Sequence, residues 1–135
     1  MPDDTESAAS PAASVRSVLV IDDDPAVLDS LAYLFALYGY RVLTAPDGRR
    51  GLEAFREHAP AVVVTDILMP EQDGLATIAQ MRRERPDAKI IAISGSGRGE
   101  KLDYLTAAEK GGADVALEKL DLAKLTDILP ALLKS

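Results

Sequence analysis

Apolar residues fall along this chain in two alternating patterns. Short runs such as Val18–Ile21, Ala61–Thr65 and Lys89–Ile93 are rich in β-branched side chains and predict strands buried on both faces. Between them apolar positions recur at helical spacing. Val27, Leu28, Leu31, Leu34, Phe35 and Tyr38 predict a first helix, with Asp24 placed to cap it, Pro25 in its first turn and Gly39 to stop it. Arg41–Ala45 reads as a short strand, and Asp47–His58 as a second helix with Leu52 and Phe55 facing inward. After a turn over residues 69–74, Leu75, Ile78, Ala79 and Met81 mark a third helix that stops near Pro86. The glycine-rich stretch SGSGRG (94–99) leads to a helix around Lys101–Lys110, ended by Gly111 and Gly112. Asp114–Leu117 predicts a fifth strand. Leu122, Leu125, Ile128, Leu129 and Leu132 predict a last helix, whose final turn Pro130 should bend or fray.

Five strands alternating with five helices through short links imply parallel βαβ units with right-handed crossovers. The expected fold class is therefore α/β, a doubly wound parallel sheet with helices on both faces. The first 14 residues have no periodicity and are rich in Ala, Ser, Pro and acid, so they read as a disordered acidic tail, with one domain over 15–135.

Composition narrows the function. The 135 residues are 47% hydrophobic, enough for a core, and carry a formal net charge of −7. That charge argues against direct binding of nucleic acid, whose phosphates demand clustered Lys and Arg. The chain has no cysteine, which excludes disulfides, thiolate metal sites and cysteine nucleophiles. Neither a secretory leader nor an apolar run of membrane length is visible, so the expected setting is cytoplasmic, with no membrane partner.

Open parallel sheets bind ligands beyond the carboxyl ends of their strands. Strand one ends at Asp22, Asp23 and Asp24, strand three at Asp66, and strand four at Ser94. Strand five is followed by Glu118 and Lys119. Clustered carboxylates repel unless a cation neutralises them, and an oxygen-only set with open positions suits Mg²⁺. Such an ion beside Asp66, with the Lys119 amine and the Ser94 hydroxyl, would stabilise a phosphoryl group delivered to that carboxylate. Asp24 reads as a helix cap rather than a ligand, His58 as a surface residue, and Gly74 as turn chemistry.

The segments VLVIDDDP, VVVTDILMPEQDGL, IIAISG and GADVALEK resemble, in order and spacing, the four signature segments of response-regulator receivers. The resemblance covers about residues 17–134. It implies a (βα)5 flavodoxin-like sheet of order 2-1-3-4-5 in a stand-alone receiver. It further implies that Asp66 is the phosphoacceptor, and that Asp22, Asp23 and Asp66 hold Mg²⁺ with the backbone carbonyl of Leu68. Ser94 would be the switch hydroxyl and Lys119 the phosphate-binding lysine. The implied donor is the phosphohistidine of a histidine kinase or histidine phosphotransfer protein. The output would be contact with a downstream protein, or onward relay of the phosphate. Such a protein assists its own phosphorylation without being an enzyme in the usual sense.

Three positions depart from the family pattern. Leu120 follows Lys119 where proline is usual, Ala116 occupies the place of the switch aromatic on strand five, and the loop after Ser94 is unusually rich in glycine. The first two leave open a degenerate receiver that acts as a plain protein-binding module. A flavodoxin-like cofactor binder is opposed by three acids after strand one, which would repel a flavin phosphate. A phosphatase with an aspartyl-phosphate intermediate would carry a second acid two residues beyond the nucleophile, where this chain has Leu68.

Overall fold

The computed structural model describes residues 16–67, 74–94, 106–118 and 122–134. In chain order these form β1 (Ser17–Ile21), α1 (Pro25–Leu37), β2 (Arg41–Ala45), α2 (Gly48–His58), β3 (Val62–Asp66), α3 (Gly74–Glu84) and β4 (Lys89–Ser94). A helical stretch over 106–110 (α4), β5 (Val115–Glu118) and α5 (Leu122–Lys134) follow. All strand pairs are parallel, in the order β2-β1-β3-β4-β5, so the flavodoxin-like sheet is present as expected.

Alternation of side chains along each strand divides the core in two. Leu19, Ile21, Val63, Ile90 and Ala92 face one layer, which Phe55 of α2 and Ile78 and Met81 of α3 complete. Val18, Val20, Val62, Val64, Ile91 and Ile93 face the other, against Leu31 and Phe35 of α1 and Leu125 and Leu129 of α5. Strand β3 is buried along its whole length, which is why its sequence shows no polar alternation.

Local signals explain the helix ends. The Asp24 carboxylate accepts from the Ala26 amide at 2.9 Å and Pro25 starts α1. Asp47 lies outside α2 as its cap, accepting from the Arg50 amide at 2.8 Å, so that helix begins one residue later than predicted. Its other end closes on Ala59, a non-glycine residue in the left-handed region (φ 46°, ψ 60°).

The strand ends differ in register from the sequence reading. β3 spans Val62–Asp66 rather than Ala61–Thr65, β4 continues to Ser94, and β5 runs Val115–Glu118 rather than Asp114–Leu117. Asp114 drops out because its carboxylate turns back to accept the Ile90 amide at 2.7 Å. Helix α5 continues through Pro130 to Lys134, with Leu125, Leu129 and Leu132 packed against the second core layer. The acidic tail, the turn at 69–73, the loop at 95–99, the start of the fourth helix, Leu68, Lys119 and Leu120 lie outside the described residues.

Candidate functional site

Parallel pairing brings the polar strand ends together. Ile21 pairs with Ala45 on one side and Thr65 on the other, and the Asp22 amide extends the ladder to the Ala45 carbonyl at 3.1 Å. Asp66 is paired with Ile93, and the Ile67 amide donates to the Ile93 carbonyl at 3.1 Å. Asp66 is therefore the last residue of a strand fixed on both sides, not the first of a loop. Thr65 Oγ1 adds a 3.1 Å bond to the Asp66 carbonyl.

One carboxylate oxygen from each of Asp22, Asp23 and Asp66 falls in a group whose members all lie within 4.8 Å of one another. Asp22 is fully buried and Asp66 is 3% exposed, whereas Asp23 faces solvent. Asp24 is not in this group; its carboxylate caps α1, and its amide donates to Asp22 Oδ1 at 2.9 Å, which helps orient that acid. The donor set is entirely oxygen and carries three formal negative charges with one side open. These are the conditions under which a hard divalent cation such as Mg²⁺ binds, so the residues present fit that ion.

Ser94 ends β4 opposite Glu118 of β5. Its hydroxyl is buried, with the residue 1% exposed, and has no hydrogen-bond partner among the described residues. A buried hydroxyl without a partner costs roughly 1–3 kcal/mol, so it marks a place where an acceptor belongs. Lys119 follows Glu118 in sequence and, like Leu68, lies outside the described residues. Ala116 is half-buried against the first core layer, and His58 is exposed at the end of α2.

Gly74 is not turn chemistry of the left-handed kind: the described glycines with positive φ are Gly39 and Gly112. It is small because α3 begins directly on the backbone of β3. A Cβ there would meet the Asp66 carbonyl oxygen at 2.3 Å. The available signal was a glycine at the start of an apolar-periodic segment, where a capping residue would be the usual choice.

Fold and site together define a class: a flavodoxin-like α/β domain with an acidic, cation-fitting cluster at the carboxyl ends of β1 and β3. Within that class, the family model described as the response regulator receiver domain matches residues 18–129, and the chain belongs to this family. The transcriptional regulatory protein PrrA of Mycobacterium tuberculosis is 35% identical over 117 residues, covering 87% of this chain and 49% of the relative. A response regulator receiver domain protein from Clostridium thermocellum superposes with a TM-score of 0.81 at 30% identity, covering 88% of this chain and 94% of that one. A CheY-like receiver domain protein from Methanospirillum hungatei gives a TM-score of 0.78 at 26% identity, covering 90% and 98%. Against curated relatives the chain spans about half of their length or less, from 39% to 50%. Among the described residues no helix is long and apolar enough to cross a membrane.

Proposed function

We propose that this receiver is a phosphoacceptor that takes a phosphoryl group from a partner's phosphohistidine onto Asp66. The observation that carries the reading is the convergence of Asp22, Asp23 and Asp66 at the strand ends, within 4.8 Å. One Asp66 carboxylate oxygen attacks phosphorus in line, forming a P–O bond as the P–N bond to imidazole breaks. The departing imidazole nitrogen takes up a proton. Asp22, Asp23 and Asp66, with the backbone carbonyl of Leu68, would hold Mg²⁺, which when bound offsets the negative charge gathering between acceptor and phosphoryl group. Ser94 would donate its hydroxyl to one phosphoryl oxygen, and Lys119 would supply a positive charge for another. The β3 ladder keeps the Asp66 backbone from retreating, so the residues act mainly by positioning.

The donor in this reading is a histidine kinase or a histidine phosphotransfer protein in the cytoplasm. The output is contact with a downstream protein or relay of the phosphate. The net charge of −7 favours such contacts over direct binding to nucleic acid, although the relatives named above include a transcriptional regulator. Intact-mass measurement after incubation with acetyl phosphate tests the chemistry. Wild type should gain one phosphoryl group only with Mg²⁺, and Asp66→Asn should gain none. Labelling of Asp66→Asn at the wild-type rate would refute the assignment.

A further inference from the structure

Gly74 opens α3 and is buried against the end of β3. A Cβ built there would stand 2.3 Å from the Asp66 carbonyl oxygen and 2.5 Å from the Ile67 Cα. Ordinary contact begins at 3.4 Å, so any side chain at position 74 must open the gap by about 1.1 Å. Neither partner is a flexible side chain. On one side, β3 is tied to β4 through the Asp66–Ile93 pair and the Ile67 amide. On the other, α3 is tied at its far end by Arg82, which bonds the carbonyls of Gly112, Pro86 and Ala88, and by Glu84, which pairs with Arg56 of α2.

We propose that Gly74 is a positioning residue for the phosphoacceptor. Its bare Cα lets the first turn of α3 seat on the Asp66–Ile67 backbone, and this seat sets where the Asp66 carboxylate stands relative to Asp22 and Asp23. The inference rests on the reading of Asp66 as phosphoacceptor and adds a residue to it. A shift near 1 Å in a reacting group is enough to slow a positioned reaction by roughly 100-fold.

Gly51 supplies a matched contrast. It is buried in α2, and its Cβ would meet Ile21 Cδ1 at 2.3 Å and Cγ1 at 2.8 Å, atoms of a side chain rather than of the backbone. Gly51→Ala should therefore lose packing without moving the backbone beneath the acids.

The test compares full-length wild type, Gly74→Ala and Gly51→Ala. Folded fraction is read by circular dichroism, Mg²⁺ affinity by titration calorimetry, and labelling by acetyl phosphate from intact mass, per folded molecule. A stabilising osmolyte is added to all three where one is partly unfolded. Gly74→Ala should bind Mg²⁺ about 10-fold more weakly and label roughly 10- to 100-fold more slowly, with Gly51→Ala within about 2-fold of wild type on both. Equal losses in the two variants, or wild-type values in Gly74→Ala, would overturn the inference. So would a Gly74→Ala chain that stays unfolded where Gly51→Ala folds, since the glycine would then serve the fold alone. A wild type that fails to label refutes the phosphoacceptor reading instead, and the Mg²⁺ affinities then decide whether Gly74 positions the acids.

Discussion

Asp23→Asn should make the metal-free protein more stable and the metal-bound protein gain less. The carboxylate removed is the exposed member of a set whose oxygens lie within 4.8 Å of one another. At that separation each like-charge pair costs about 0.9 kcal/mol in bulk water and about 3.5 kcal/mol at an effective dielectric constant of 20. Exposure places Asp23 near the first figure, and it faces two neighbours, Asp22 and Asp66. After the residual polarity of asparagine and screening by salt, a gain of roughly 1–2 kcal/mol remains. For a domain of this size that raises the melting temperature by roughly 3–8 °C.

Metal narrows the difference. An ion present at 100 times its dissociation constant stabilises the folded state by about 2.7 kcal/mol, and a tenfold loss of affinity cuts this to about 1.4 kcal/mol. Melting curves for wild type and Asp23→Asn, each with a chelator and with a fixed excess of Mg²⁺, give both numbers. Raising NaCl in the presence of chelator should shrink the metal-free difference. A metal-free variant that melts below wild type, or an equal Mg²⁺ shift in the two proteins, would refute the argument.

Arg82→Ala should cost about 2–4 kcal/mol in urea unfolding: its side chain is 25% exposed and bonds three backbone carbonyls and the Asp114 carboxylate. Arg82→Lys should recover little, because one ammonium cannot replace the planar fork; a loss under 0.5 kcal/mol for the alanine variant would show the contacts to be idle. The Arg56 guanidinium, bonded to Glu84 at 2.6 Å, and then the Gln80 amide hold the Glu84 carboxyl down at about 2. The lowered value means that its contribution is complete above about pH 4.5 and lost as pH falls toward 2, so the melting difference between wild type and Glu84→Gln should vanish across that window. A difference that is constant from pH 6 to pH 2 would count against the pair. Ala59→Gly should raise stability by roughly 0.5–1 kcal/mol, since it relieves a left-handed alanine at the C-cap of α2, whereas Ala59→Val should lower it.

Much of this architecture was legible because a parallel sheet writes itself plainly. Strands buried on both faces give continuous apolar runs, and the acids that interrupt them at Asp22 and Asp66 lie where the fold places ligands. Less legible was the extent of each strand. Asp66, Ser94 and Glu118 fall just past the apolar runs that mark the strands, yet backbone pairing with neighbouring strands carries them into the sheet. Nothing in the sequence sets Arg82 apart from its neighbour Arg83. Its role depends on carbonyls from the turns before β4 and β5, residues distant in sequence that only the folded chain brings to one side chain. Gly74 showed its smallness in the sequence but not its neighbour, because the close approach belongs to the packing of α3 on β3.

The placement of these features bears on how the site can exist at all. Helices antiparallel to the strands put their C-terminal ends at the amino edge of the sheet. There Arg56 joins α2 to α3, Arg82 ties α3 to the starts of β4 and β5, and the Arg85 guanidinium lies 4.1 Å from the centre of the Phe55 ring. The carboxyl edge carries the opposite kind of feature: three mutually repelling acids and a buried serine hydroxyl with no partner among the described residues. Clustered like charges oppose folding, and in the proposed reading a bound cation would offset them. The rigid β3 backbone couples the two edges, since it cannot relax at Asp66 without breaking its ladder to β4. Stability placed at one end of the strands thus offsets charge repulsion at the other, which a bound cation would relieve. On this account a loss at the amino edge, as in Arg82→Ala, should be partly restored by Mg²⁺ in wild-type measure. A loss of the Asp23 carboxylate should not show the same recovery. The two variants combined should give additive melting shifts without metal, because their sites share no partner.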